Sequence, residues 1–210
     1  MPDTVDALLP LSLLEAVRNV DSPVEDLDAE LVGDLRNKRL GLSETVYMQI
    51  KRYTDAVKRN QRAAHEEAVA LARLIGRRPD AEAVFRAAGR FLAREAYQTV
   101  SPVSRGLMLG MPTLVARPIA LRNMRRLARR YFAGRVHRVG SSIFLEVTES
   151  VTSEAAPRAQ GCAYYESGLK ELLRLLANST GGVEHHRCAT RGEGICSWRA
   201  EWRPTHNAPE

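Results

Sequence analysis

The chain has 210 residues and a mass of 23.4 kDa, the size of one domain or of one domain with an appendage. Hydrophobic residues at 44% and charged residues at 27% exclude wholesale disorder, and no run of eighteen apolar residues exists to make a membrane-spanning helix. Net charge is +6, but Ala96 to Leu145 holds nine arginines and no acid, so a basic belt crosses a mildly acidic remainder.

The start carries acids before its first apolar stretch, unlike a secretory leader, so the expected location is cytoplasmic. Residues 1–79 read as a helical extension. Ser22-Pro23-Val24-Glu25 has the form of a capping box with Pro at the first helical position. From Ser43 to Ile75 there is no Gly or Pro, and Val46, Ile50, Tyr53, Val57, Ala64, Ala68, Leu71 and Ile75 keep roughly three-four spacing. This predicts one long amphipathic helix whose stripe thins to alanine between Lys58 and Glu67. Such a helix packs either on a second chain, as a dimerisation arm, or on its own body. Gly76 closes it, and Pro79-Asp80 open a helix from Ala81 to about Thr99, where Gly89 implies close backbone packing.

Residues 101–112 read as an apolar, Gly-punctuated loop, either buried or a movable cover over a cavity. A helix over Pro118–Phe132 then sets Ala120, Met124, Leu127, Ala128 and Tyr131 on one face and five arginines on the rest. Arg135–Val139 and Ile143–Val147, separated by Gly140-Ser-Ser, predict a hairpin. Leu169 to Leu176 returns to helix, and Val183–Ala189 with Ile195–Trp202 predicts a second hairpin. On its last strand Trp198, Ala200 and Trp202 share one face that suits the core. Glu166 and Glu171 look like helix-surface charges. Residues 204–210 read as a frayed tail. The order predicts an α+β domain over residues 80–203, an antiparallel sheet packed with helices.

All three cysteines, Cys162, Cys188 and Cys196, fall in the last quarter, with His185 and His186 just before the second. An odd count in a non-secreted chain argues against disulfides. Three thiolates and one imidazole form a common tetrahedral zinc set. Zinc would pin the start of one helix to the last hairpin. The plain alternative is that free cysteines pack as small hydrophobes. In a regular strand His186 shares a face with Cys188 and His185 does not, so spacing alone leaves the histidine open.

Several residues carry a family resemblance over Ala83–Arg203: Ala87-Ala-Gly-Arg90, Gly168 six residues after Cys162, His185-His-Arg-Cys188, Arg191-Gly192 and Cys196-Ser-Trp-Arg. In these the chain resembles the 4-vinyl reductase domain family, whose fold is similar to TRAPP subunits and haem nitric-oxide-binding domains. That family includes a bacteriochlorophyll-biosynthesis protein and sensory domains of phenol-responsive activators. The resemblance implies a structural zinc held by Cys162, Cys188, Cys196 and the residue three before the middle cysteine. There the family usually has Glu and this chain has His185, itself a normal zinc ligand.

The resemblance further implies a small hydrophobic ligand, aromatic or tetrapyrrole, between helices and sheet. Phe91, Leu107, Met108, Leu109, Met111, Phe144 and Tyr165 are the residues expected to wall it, or else to fill a core. No nucleophile elbow, P-loop, zinc-protease motif or dinucleotide fingerprint occurs. The expected function is a zinc-stabilised ligand-binding or sensor homodimer without catalysis. The alternative is a protein of bacteriochlorophyll or tetrapyrrole biosynthesis, as carrier or vinyl reductase. A nucleic-acid module built on the arginine belt is the least supported reading, since no exposed aromatics interleave the arginines. Whether residues 117–138 bind an anion stays open.

Overall fold

Seven α-helices and two antiparallel sheets arise among the described residues of the structure, a computed structural model that describes residues 3–22 and 43–202. The fold is α+β, as the element order predicts. Strand β1 (Thr4–Asp6) leads into helix α1 (Leu8–Asp21), whose first turn is capped by the Asp6 carboxylate accepting from Leu8 N–H at 3.0 Å. The Ser22 hydroxyl donates back to Arg18 O at 2.8 Å, closing α1. The rest of the capping-box motif lies outside the described residues.

The single helix expected over residues 43–75 is two helices. Helix α2 (Glu44–Lys58) starts where expected, with the Ser43 hydroxyl accepting from Val46 N–H, and stops where the apolar stripe fails. Asn60 takes a left-handed φ of 53°, which Asn tolerates better than most residues. Strand β2 (Arg62–Ala64) then pairs with β1 before helix α3 (His65–Gly76) begins. With the stripe broken, both halves pack on their own chain: Val46, Ile50 and Tyr53 of α2 are buried, and α2 and α3 both meet α1.

Helix α4 (Ala81–Gln98) makes the most extensive helix contact, with helix α7 (Ala163–Ala177). Glycine permits it. A Cβ on Gly89 would lie 2.0 Å from Tyr164 O, and one on Gly168 would lie 2.4 Å from the Phe132 ring. Helix α1 packs on α4, and Ser12 Oγ lies 3.3 Å from Tyr164 Oη. Buried Asp21 accepts two hydrogen bonds from Arg78, at 2.7 and 2.9 Å.

The predicted loop over 101–112 is instead helix α5 (Pro102–Gly110), capped by Ser101 accepting from Ser104 N–H. No residue of α5 is buried. Helix α6 (Thr113–Tyr131) begins five residues before the expected start and carries Pro118 inside it. Its buried face includes all five apolar residues expected there.

The second sheet has the order β3 (Arg135–Val139), β4 (Ser142–Val147), β6 (Cys196–Glu201), β5 (Val183–Arg187), antiparallel throughout. Ile143 pairs with Ala200, Leu145 with Trp198 and Val147 with Cys196, a buried row facing the helices. Against it an aromatic chain runs through the core. Phe132 lies 6.2 Å from Tyr165, and Tyr165 lies 5.0 Å from Trp198, by ring centroids. Glu171, expected at the surface, is only 7% exposed and bridges Arg94 and Arg174. Its first partner comes from α4, beyond the reach of helix periodicity.

A four-donor candidate metal centre

Three separate segments deliver the three cysteines to one buried place. A short 3-10 helix, Pro157–Cys162, runs straight into α7 and leaves Cys162 at the helix start. Thr152 fixes this corner: its hydroxyl donates to Gly161 O at 2.7 Å, and a Cβ on Gly161 would sit 1.7 Å from Thr152 O. Cys196 opens strand β6 opposite Val147.

Cys188 follows β5, where the strand register changes. His185 pairs with Trp198 and Arg187 with Ser197, so two steps on β5 match one on β6 and His186 is the bulged residue. The bulge reverses the alternation of faces. His185 and Cys188 both turn inward, while His186 is exposed against the edge of Phe144, 6.1 Å away by centroids. His185 stacks on Trp198 at 5.0 Å and 10°, so the core's aromatic chain ends on this imidazole.

The donor atoms of Cys162, His185, Cys188 and Cys196 all lie within 4.8 Å of one another. The sulfurs of Cys162 and Cys188 are 4.0 Å apart. Two thiolates on one zinc, each about 2.3 Å away at a tetrahedral angle, sit about 3.8 Å apart. A disulfide needs about 2.05 Å, and all three cysteines are free.

The surroundings suit a cation. All three cysteines are buried, and His185 Nε2 is buried with no hydrogen-bond partner among the described residues. The Cys162 thiol donating to Cys196, with the His185 imidazole and the Ala189 N–H beside it, holds Cys196 below the usual thiol range against the opposing effect of burial. Cys162 is pushed far up by that same bond and by burial. Metal ligation requires thiolates, so a bound cation would displace the thiol protons of this cluster. It could hold a metal ion.

Outer contacts steady the ligands. Ala189 N–H donates to Cys196 Sγ at 3.4 Å, Thr190 Oγ1 lies 2.9 Å from Cys188 Sγ, and the Glu193 carboxylate accepts from Cys188 N–H. The loop carrying them needs glycine at 192 and 194, where φ is +82° and +75°. Thr190 and Glu193 have no signature in the sequence apart from those flanking glycines. A cleft of about 730 Å³ includes His185 and Thr190 among its walls.

The residues expected to wall a ligand pocket converge only in part. Tyr165 is in the core, its hydroxyl accepting from Val151 N–H. Phe144 points away from the helices and stacks on His137 at 5.3 Å, and Phe91 is half-buried on α4. Met108, Leu109 and Met111 do share a cleft of about 260 Å³, whose other walls include Arg117, Arg174 and Trp202. Leu107 faces a different groove, about 960 Å³, lined by Arg62, Arg122, Arg125, Arg126, Arg129 and Arg130. Arg62 joins that groove from β2, which nothing in the arginine-belt sequence foreshadows.

No helix among the described residues is long and apolar enough to cross a membrane. Comparison of the chain with protein-family models, with curated proteins and with solved structures gives no match in any of the three, and the chain is assigned to no family.

Proposed function

We propose that this chain is a zinc-stabilised domain that binds a small hydrophobic ligand and acts as a sensor, in the form of a homodimer. The observation that supports it best is the four-donor cluster, whose three sulfurs and one nitrogen match the ligand set of structural zinc. Four protein donors leave no coordination position for water or substrate, so a zinc here would supply folding energy and no catalysis. Cys162, Cys188, Cys196 and His185 would hold it, fastening the start of α7 to the β5–β6 hairpin.

The ligand reading draws on the cleft beside Met108, Met111 and Trp202. At about 260 Å³ it lies below the range of about 300–1,000 Å³ typical of drug-sized ligands. It suits a single aromatic ring, and its Arg117 suits an acidic substituent. A tetrapyrrole is larger, so the tetrapyrrole-pathway reading stands second. Exposed Tyr47 and Met48 on α2 offer a surface for a second copy.

Elemental analysis of the purified chain tests the zinc. The expected result is one zinc per chain, with a marked fall in melting temperature on chelation. A folded chain that carries no zinc and does not respond to it overturns the reading. Benzoate, titrated against tryptophan emission, tests the cleft: saturable quenching lost in Trp202→Phe supports it, and no change contradicts it.

A further inference from the structure

The α5–α6 hairpin inverts the usual surface rule. Of the ten large hydrophobic side chains that stand exposed among the described residues, six lie between Val103 and Val115. Leu114 is 87% exposed, Leu109 78% and Val103 72%. Monomeric proteins scatter exposed apolar residues singly, and a cluster marks a contact surface. Leu109-Gly-Met-Pro-Thr-Leu114, the turn between the helices, carries no charge at all.

Alongside runs the groove with six arginines in its wall and no acidic residue. Arg130 is held by Asp6 at 3.1 Å, and Arg125 donates to Val136 O. Arg122 and Arg129 have no acidic partner among the described residues. Such a concentration of cation beside a depleted set of acids makes a strongly positive field.

The two features together select the occupant. A second copy of this face would set arginine against arginine. A nucleic acid would meet the charge, but an uncharged aliphatic tip offers bases no aromatic stacking. An anionic lipid surface matches both: the tip enters the boundary between headgroups and chains, and the guanidinium groups meet headgroup phosphates. We propose that the hairpin over residues 102–131 docks this protein on anionic membranes, with Leu114 and Val115 entering the lipid and Arg122 and Arg129 holding the headgroups. This surface is separate from the zinc cluster, and neither Leu114 nor Val115 walls the 260 Å³ cleft, so the inference stands without the ligand reading.

Sedimentation with vesicles tests it, using the full chain with pure phosphatidylcholine and with an equal mixture of phosphatidylcholine and phosphatidylglycerol. The expected result is at least tenfold tighter association with the anionic vesicles, weakening as salt rises. The double variant Arg122→Gln/Arg129→Gln should lose about tenfold or more. Leu114→Ser/Val115→Ser, at exposed positions that leave the fold intact by circular dichroism, should lose roughly tenfold as well. Three results would overturn the proposal: no association, equal association with neutral vesicles, or association unchanged by both double variants. Retention of duplex or single-stranded DNA that depends on Arg122 and Arg129, without vesicle binding, would assign the groove to nucleic acid instead.

Discussion

The two ends of this molecule break the ordinary partition of side chains in opposite directions. At the β5–β6 end, chemically active donors are buried: three cysteines and an imidazole nitrogen with no hydrogen-bond partner among the described residues. On the α5–α6 hairpin, large aliphatic side chains are exposed, and no residue of α5 is fully buried. Buried polar groups and exposed apolar clusters are the informative departures from a folding rule that otherwise explains itself. The difference teaches where stability resides. The cluster end is tied into the core through His185, Trp198 and Tyr165, whereas the exposed side chains of α5 and of the turn after it can change without disturbing that core.

Perturbing the cluster end should have the largest effect. Apparent zinc-binding energies of about 10–16 kcal/mol match or exceed the about 5–15 kcal/mol stability of a typical domain. Cys196→Ala should therefore abolish the cooperative thermal transition or lower it by tens of degrees, whereas Leu114→Ser should leave it within a few degrees. Equal melting of the two variants would break the comparison. His185→Ala should cut zinc retention sharply and His186→Ala should not, since only His185 joins the cysteines.

The next effect concerns the α4–α7 contact on which the cluster is built. Gly89→Ala drives a methyl group onto a backbone carbonyl, so a loss of about 1–3 kcal/mol is expected in chemical denaturation. A neutral result would mean that these helices are further apart than described.

Glu171 gives the pH dependence. Hydrogen bonding to Arg174, and then to Arg94, holds its carboxyl down to about 2 despite burial. A depressed folded value contributes stability that is complete above the unfolded value, near 4.5, and is lost as pH falls toward 2. Both arginines are half-exposed, so the contribution is about 1–2 kcal/mol at neutral pH. Glu171→Gln should remove that amount and flatten the acid limb between pH 4.5 and 2. An unchanged acid limb would show the pair to be without consequence.

The smallest effect is a gain. Ala133 ends α6 with a left-handed φ of 48°, so Ala133→Gly should add about 0.5–1 kcal/mol without touching either end.

What the sequence makes legible follows from how far each cause reaches. Cys162, Cys188 and Cys196 announce themselves because few side chains share their chemistry, and the hairpins are marked by local glycines and β-branched runs. The inward histidine is undecided on spacing because the answer depends on the bulge at His186, a property of two strands. The break at Asn60 hides in a stretch without Gly or Pro, although the thinning of the apolar stripe falls at the same place. Glu171 reads as a surface charge because Arg94 reaches it from 77 residues away. The apolar residues of α5 read as a loop because periodicity cannot say whether an apolar face has anything to cover.

X-ray absorption at the zinc edge of the purified chain probes the cluster most directly. The expected spectrum has three sulfur scatterers near 2.3 Å and one nitrogen near 2.0 Å, with the nitrogen contribution lost in His185→Ala. A first shell of oxygen and nitrogen without sulfur, or a chain that binds no zinc, would contradict a metal site built from these four side chains.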